Sequence, residues 1–422
     1  MHDIVNVNGL KFIFSPLDNI ETASLGVFLR IGSRFEKKRV KGVAHFLEHM
    51  LFKGSRKYSH LQIKREIEGR GGSLNAFTSQ EITGYYAHFL KKNLAATLDI
   101  LLDMVSCPLL RNEDIDKERK VILEEIKMYN DFPSSRATVL LDRLLWENHP
   151  LGQEVIGCKD TVKGIKRPDL NDFRNNYYIP SNMVISFSGA FPKKRIVALL
   201  RNKIKKDFRN SSLKTEAPPL CENIHIQCEK KDLEQSHLCL GFRSVSYMSK
   251  ERIAAQLISV ILGANMSSRL FEELREKRSL CYDISTETRK YKDSGAFLVH
   301  TGLDKSKIII AFRTILRELN KIKEKEIPDK ELSRAKDYYL GQIAMSLERP
   351  QGRMFIYAEN YLILNRICDF SNIKKEVESI SPSQIKKLAN EIFKFENICI
   401  SCVGNVDDGL KKRIRQALDK SA

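Results

Sequence analysis

Two pairs of segments in this chain read as copies of one another. Asn182-Met183-Val184-Ile185-Ser186-Phe187-Ser188-Gly189 recurs as Asn397-Ile398-Cys399-Ile400-Ser401-Cys402-Val403-Gly404, an offset of 215 residues. Each is an apolar, strand-like run closed by glycine and followed by a lysine-rich helical pattern. Val121-Ile122-Leu123-Glu124-Glu125-Ile126 recurs as Tyr338-Tyr339-Leu340-Gly341-Gln342-Ile343 at an offset of 217. Solenoids repeat every 20–50 residues or so, so a period this long indicates a duplicated domain. The chain therefore divides into an N-terminal domain over 1–210 and a homologous C-terminal domain over 220–422. The linker falls at 211–219, where Ser211, Ser212, Pro218 and Pro219 interrupt the pattern. Both halves mix period-2 and period-3.6 apolar spacing. The fold class expected is α+β: two homologous domains, each a largely antiparallel sheet covered by helices.

Composition narrows the function classes. The apolar fraction of 42% suits a globular protein, and no stretch of 18 apolar residues is present to span a membrane. The first residues, Met1 to Phe14, lack a basic start with an apolar core. They read as two strands around an Asn8-Gly9 turn, so a cleaved signal is not expected. The nine cysteines are odd in number and scattered, and Cys239, Cys399 and Cys402 lie in apolar runs, which suits a reducing cytoplasm. The net charge of +18 invites a nucleic-acid reading. However, the basic residues alternate with glutamates, as from Lys321 to Glu326, and no aromatic platform or one-sign tract accompanies them. No specific nucleic-acid partner is expected.

Val43-Ala44-His45-Phe46-Leu47-Glu48-His49-Met50 holds an H-x-x-E-H pentad. On a helix, His45 and His49 are one turn apart on one face and can grip a single metal ion. Glu48 reaches the same side, where a carboxylate can take a proton from water at the metal without being a ligand. Spacing alone also fits two histidines and a glutamate on an ordinary amphipathic helix. A catalytic zinc site takes a further protein ligand. The helical run Asp116 to Tyr129 offers Glu118 and Glu125, seven apart on one face, with Glu124 turned about 100° from Glu125. Most helix carboxylates are surface charge, so the spacing does not choose among them.

Together, His45 to Ser55 (HFLEHMLFKGS) and the later glutamates resemble the pitrilysin family of inverzincin zinc peptidases, the mitochondrial processing peptidases being the nearest kind. Gly72 to Thr78, His149-Pro150-Leu151-Gly152, Tyr178 to Asn182 and Ser267 to Tyr282 resemble further family blocks in the same order, so the likeness spans essentially the whole chain. Glu125 lies 76 residues past His49, matching the family's third ligand. The resemblance implies one zinc ion per chain held by His45, His49 and Glu125, with Glu118 in support. It implies Glu48 as the base and Asn75, Ala76 and Phe77 as the strand segment that pairs with substrate backbone. Arg275 and Tyr282, seven apart, would bind substrate and stabilise the reacting carbonyl oxygen.

At an offset of 217 the metal residues fall on Leu262, Met266 and Gln342, and no H-x-x-E-H occurs in the second half. One metal per chain follows. The expected function is a zinc-dependent endopeptidase acting on short or unfolded peptides in a chamber formed by subunit pairing, most economically a homodimer. The competing reading is a non-catalytic scaffold or partner subunit of a processing-peptidase-like assembly, a fate that tends to erode the metal motif.

Overall fold

Asn8 and Gly9 take left-handed backbone angles, φ 54° and 93°. That geometry makes the tight hairpin turn asparagine–glycine pairs favour, and it joins β1 (Asp3–Val7) to β2 (Leu10–Pro16) where the sequence predicts it. The computed structural model describes residues 2–203, 213, 215–219 and 221–420; positions 211, 212 and 214 of the expected linker lie outside the described residues.

The first sheet continues with β3 (Thr22–Leu29), β4 (Ser73–Thr78), β5 (Thr83–Leu90) and β6 (Met183–Gly189), in the order β1-β2-β6-β3-β5-β4. The second contains β7 (His225–Lys230), β8 (Ser236–Ser244), β9 (Cys281–Lys290), β10 (Gly295–Leu303) and β11 (Cys399–Gly404), in the order β7-β11-β8-β10-β9. Only β2 with β6 and β7 with β11 run parallel; the other pairs are antiparallel. Apart from β1, the sheets match strand for strand. The copied segments become β6 and β11, each lying between a parallel and an antiparallel neighbour. The other copied pair lies in two 20-residue helices, Asn112–Asp131 and Asp329–Glu348. The fold class is the one expected, mixed α and β with helix-covered sheets.

Both central strands of the first sheet are buried along nearly their whole length, so both of its faces are covered. On one face Leu25, Val27 and Leu29 join a core with Phe46, Leu47 and Met50. On the other, the Pro350–Leu364 helix packs across β6 and β3, with the Phe355 ring 5.3 Å from Phe28. In the second sheet the Pro133–Trp146 helix packs on β11 and β8. Ser401 Oγ donates to Ala137 O at 2.6 Å, and Asp142 meets the Arg289 guanidinium at 2.7 Å. The compact units therefore differ from a single cut at the linker. Segments 128–153 and 216–342 with 370–422 make one; 1–127, 154–215 and 343–369 make the other. Each half of the chain lends one helix to the other half's sheet, because each sheet has a second apolar face to cover.

Candidate metal centre

Gly42 opens the Val43–Leu51 helix at φ 92° and offers no side chain to cap it. A Cβ there would stand 2.6 Å from Ile156 O, so both the backbone angle and the close approach require glycine. The cap comes from Glu36 instead. Its carboxylate accepts from Gly42 N and Ala44 N, both at 2.8 Å, satisfying two of the donors a helix start leaves open. Burial pushes that carboxyl up to about 7 against these two bonds and the charge of Lys41. The helix buries Val43, Ala44, Phe46, Leu47, Met50 and Leu51, leaving His45, Glu48 and His49 only partly covered.

The two imidazoles stand 4.6 Å apart between ring centres. Glu125 comes to them from the Asn112–Asp131 helix, with its Oε2 3.6 Å from His49 Nε2 and 3.9 Å from His45 Nε2. One ligand atom from each of the three lies within 4.8 Å of the others, the only such group of three or more among the described residues. Glu118, two turns earlier, is buried; its Oε2 lies 3.1 Å from His49 Nδ1 and Lys53 pairs with its other oxygen. Burial opposes the charge on Glu118, but His49 and Lys53 outweigh it and hold the carboxyl below its ordinary range. Glu124 is exposed and pairs with Lys127.

Burial and the neighbouring His49 push the His45 imidazole down to about 3, so it stays neutral, the form that binds metal. Burial opposes charge on His49, but Glu118, Glu125 and Glu48 outweigh it and raise its pKa. His45 Nδ1 is buried and makes no hydrogen bond. Two adjacent imidazoles, a carboxylate between them and a further carboxylate fixing the rear nitrogen of one ring form a donor set that suits zinc.

Glu48 is partly buried, which raises its pKa, and its Oε2 accepts from Thr78 Oγ1 at 2.5 Å. Burial above all, with a smaller push from the charge of Glu48, raises the phenols Tyr85 and Tyr178, which are hydrogen-bonded to each other at 2.9 Å. Asn75, Ala76 and Phe77 lie in β4, which ends the strand order and pairs only with β5 among the described strands. In the second unit, Arg275 sits on a π-helical turn, Phe271–Glu276, with its guanidinium 4.9 Å from the ring centre of Tyr282. Tyr282, on the terminal strand β9, is 76% exposed. The structure thus brings the metal trio together with Glu48 and Glu118, and separately brings Arg275 to Tyr282.

Sequence reasoning gave no role to Thr78 or Glu36. Thr78 shares strand parity with Ala76, a period-2 cue that it turns to the helix side. Glu36 carries no such signal, since its partners lie across two irregular turns.

The N-terminal part of the chain, residues 13–159, matches the model of the insulinase family of peptidases, family M16. Residues 164–339 match that of the family's inactive domain. The chain is 32% identical over 390 residues to an uncharacterized zinc protease of Bacillus subtilis, covering 92% of this chain and 94% of that protein. With an uncharacterized zinc protease of Streptomyces coelicolor it shares 30% over 417 residues, 97% of this chain and 91% of the relative. The fold superposes on the crystal structure of a protease from Helicobacter pylori with a TM-score of 0.90 at 24% identity, over 96% of this chain and 99% of that one. A histidine pair one helical turn apart, a two-sheet duplicated fold and full-length likeness to zinc proteases place this chain in the insulinase peptidase family, M16.

Proposed function

We propose that this protein is a zinc-dependent endopeptidase that hydrolyses short or unfolded peptides. The observation that carries the reading is the convergence of His45, His49 and Glu125 within 4.8 Å beside a partly buried Glu48. Zinc held by these three would polarise a peptide carbonyl and lower the pKa of water there toward about 7. Glu48, kept from full hydration, takes the proton of the attacking water and returns it to the leaving nitrogen. Its raised pKa suits both transfers. Substrate binds extended along the free edge of β4, where backbone hydrogen bonds read shape more than sequence. That mode requires a chain with no competing structure of its own. Tyr282, with Arg275 stacked against it, stabilises the carbonyl oxygen as charge develops on it.

Two copies of the chain pair to enclose the site, since one chain carries both the metal set and the arginine–tyrosine set. The cytoplasm is the proposed compartment. All nine cysteines are unpaired by disulfides, and no helix among the described residues is long and apolar enough to cross a membrane. The intact metal set speaks against a purely scaffolding role.

The test is metal content measured together with cleavage of a pool of short unstructured peptides. Wild type is expected to hold one zinc per chain and to cut. His49→Ala is expected to lose both zinc and cleavage, and Glu48→Gln to keep zinc and lose cleavage. Full cleavage by zinc-loaded Glu48→Gln would remove Glu48 from the base role. Absence of both zinc and cleavage from the purified wild type would remove the enzyme reading.

A further inference from the structure

Resting on that reading, we infer that Thr78 is a positioning residue for the base, tying the substrate-pairing strand to proton transfer. Glu48 needs one carboxylate oxygen aimed at water, yet a glutamate side chain has three rotatable bonds and no intrinsic preference for that pose. What holds it is the Thr78 hydroxyl, which donates to Oε2 at 2.5 Å and leaves Oε1 for the reaction. Thr78 is the last residue of β4, immediately after the Asn75-Ala76-Phe77 run. Its β-branched side chain is stiff about χ1, so the hydroxyl direction follows the strand backbone.

That backbone is itself fixed from beyond the strand end. Thr78 pairs with Thr83, and the turn between them closes through Ser79 N to Ile82 O at 2.8 Å. Ser33 N donates to Ser79 O at 3.1 Å and Arg34 N to Gln80 O at 2.9 Å. A buried Arg34–Glu81 ion pair at 2.5 Å clamps the same turn. At Gly32 an added Cβ would stand 2.1 Å from Ser79 O, so the approach is as close as backbone permits. The result is a rigid path from the free strand edge to the carboxylate. A peptide paired with β4 is placed relative to Glu48 by the same residues that orient Glu48. The Thr78 proton is never transferred; the proton that moves passes from water to Glu48 and on to the leaving nitrogen, while the O–H of water and the C–N bond break.

Thr78→Val keeps the shape and removes the hydroxyl, whereas Thr78→Ser keeps the hydroxyl. Both are compared with wild type and Glu48→Gln for zinc content, kcat and KM on one peptide. Thr78→Val is expected to bind zinc normally and keep KM within about twofold while kcat falls about 10–100-fold, the cost of misplacing a reacting group. Thr78→Ser should recover most of that loss. Adding Thr78→Val to Glu48→Gln should lower the residual rate no further, because the hydroxyl acts only through Glu48. Wild-type kcat in Thr78→Val overturns the inference. So does a loss confined to KM, which would assign Thr78 to strand pairing alone, or a Thr78→Ser as slow as Thr78→Val. If Thr78→Val does not fold, the serine variant and the double-variant comparison, made with Thr78→Ala, decide the question. A Glu48→Gln as active as wild type would instead remove the base role on which the inference rests, and a zinc-loaded wild type that cuts no peptide would defeat the peptidase reading itself.

Discussion

Charged side chains around the metal trio do two separate jobs, and substitution can separate them. Glu118 fixes the rear nitrogen of His49 and is itself held by Lys53. Glu118→Ala should weaken zinc affinity about 10–100-fold, as removal of a ligand's supporting partner does, while Glu124→Ala leaves it unchanged. Competition with a calibrated chelator measures both. Equal losses would mean the effect is general negative charge and not the His49 contact. Glu36 acts one step further back, holding the first turn of the metal helix through two backbone N–H groups. Glu36→Ala should cost about 1–3 kcal/mol, the penalty for leaving buried N–H groups without their acceptor, and should loosen zinc as well. Denaturant unfolding with and without zinc reads both effects. The histidines, Glu48, Glu125 and Glu118 were legible in the sequence because helical spacing and family likeness fix them. Glu36 was not: an acceptor reaching back across a loop leaves no periodic trace.

The least legible element was the helix each half lends to the other half's sheet. Leu140, Leu141, Leu145 and Trp146 announce a helix with a buried face, but an apolar face does not name the sheet it will meet. β1 and β2, the Asn8-Gly9 turn between them and the copied strands β6 and β11 were readable because each carries its signal in a short local pattern. The exchange depends on contacts far apart in the chain, which local pattern cannot encode. Its packing is specific all the same. A Cβ on Gly241 of β8 would stand 2.9 Å from Leu145 Cδ1 and 3.1 Å from Leu141 Cδ1. Gly241→Val should therefore overpack this layer and cost about 1–3 kcal/mol. A parallel drop in the denaturation midpoint of the unit bearing Trp146, the single tryptophan, is the fluorescence signature. An unchanged midpoint would mean the helix moves aside freely and does not hold the sheet.

The molecule holds two sheets of one topology, and the candidate metal trio belongs to the unit of the first. Among the described residues the second unit assembles no metal-holding cluster, yet it keeps Tyr282 exposed with Arg275 stacked on its ring. An exposed tyrosine on the last strand of its sheet suits a group that meets substrate carried by another surface. If that surface belongs to a second copy, each site draws its base from one chain and its tyrosine from the other. Particles of twice the 48.6 kDa chain mass in sedimentation are the first expectation. Glu48→Gln and Tyr282→Phe preparations, each nearly inactive alone, should then regain up to about a quarter of wild-type activity when mixed in equal amounts and allowed to exchange. In random pairs half the dimers are mixed, and each mixed dimer holds one site with both groups intact. Recovery on mixing assigns the tyrosine to the partner's metal centre. No recovery, with exchange verified by labelled chains, assigns both groups to a single chain and leaves pairing to enclose the substrate without completing the chemistry.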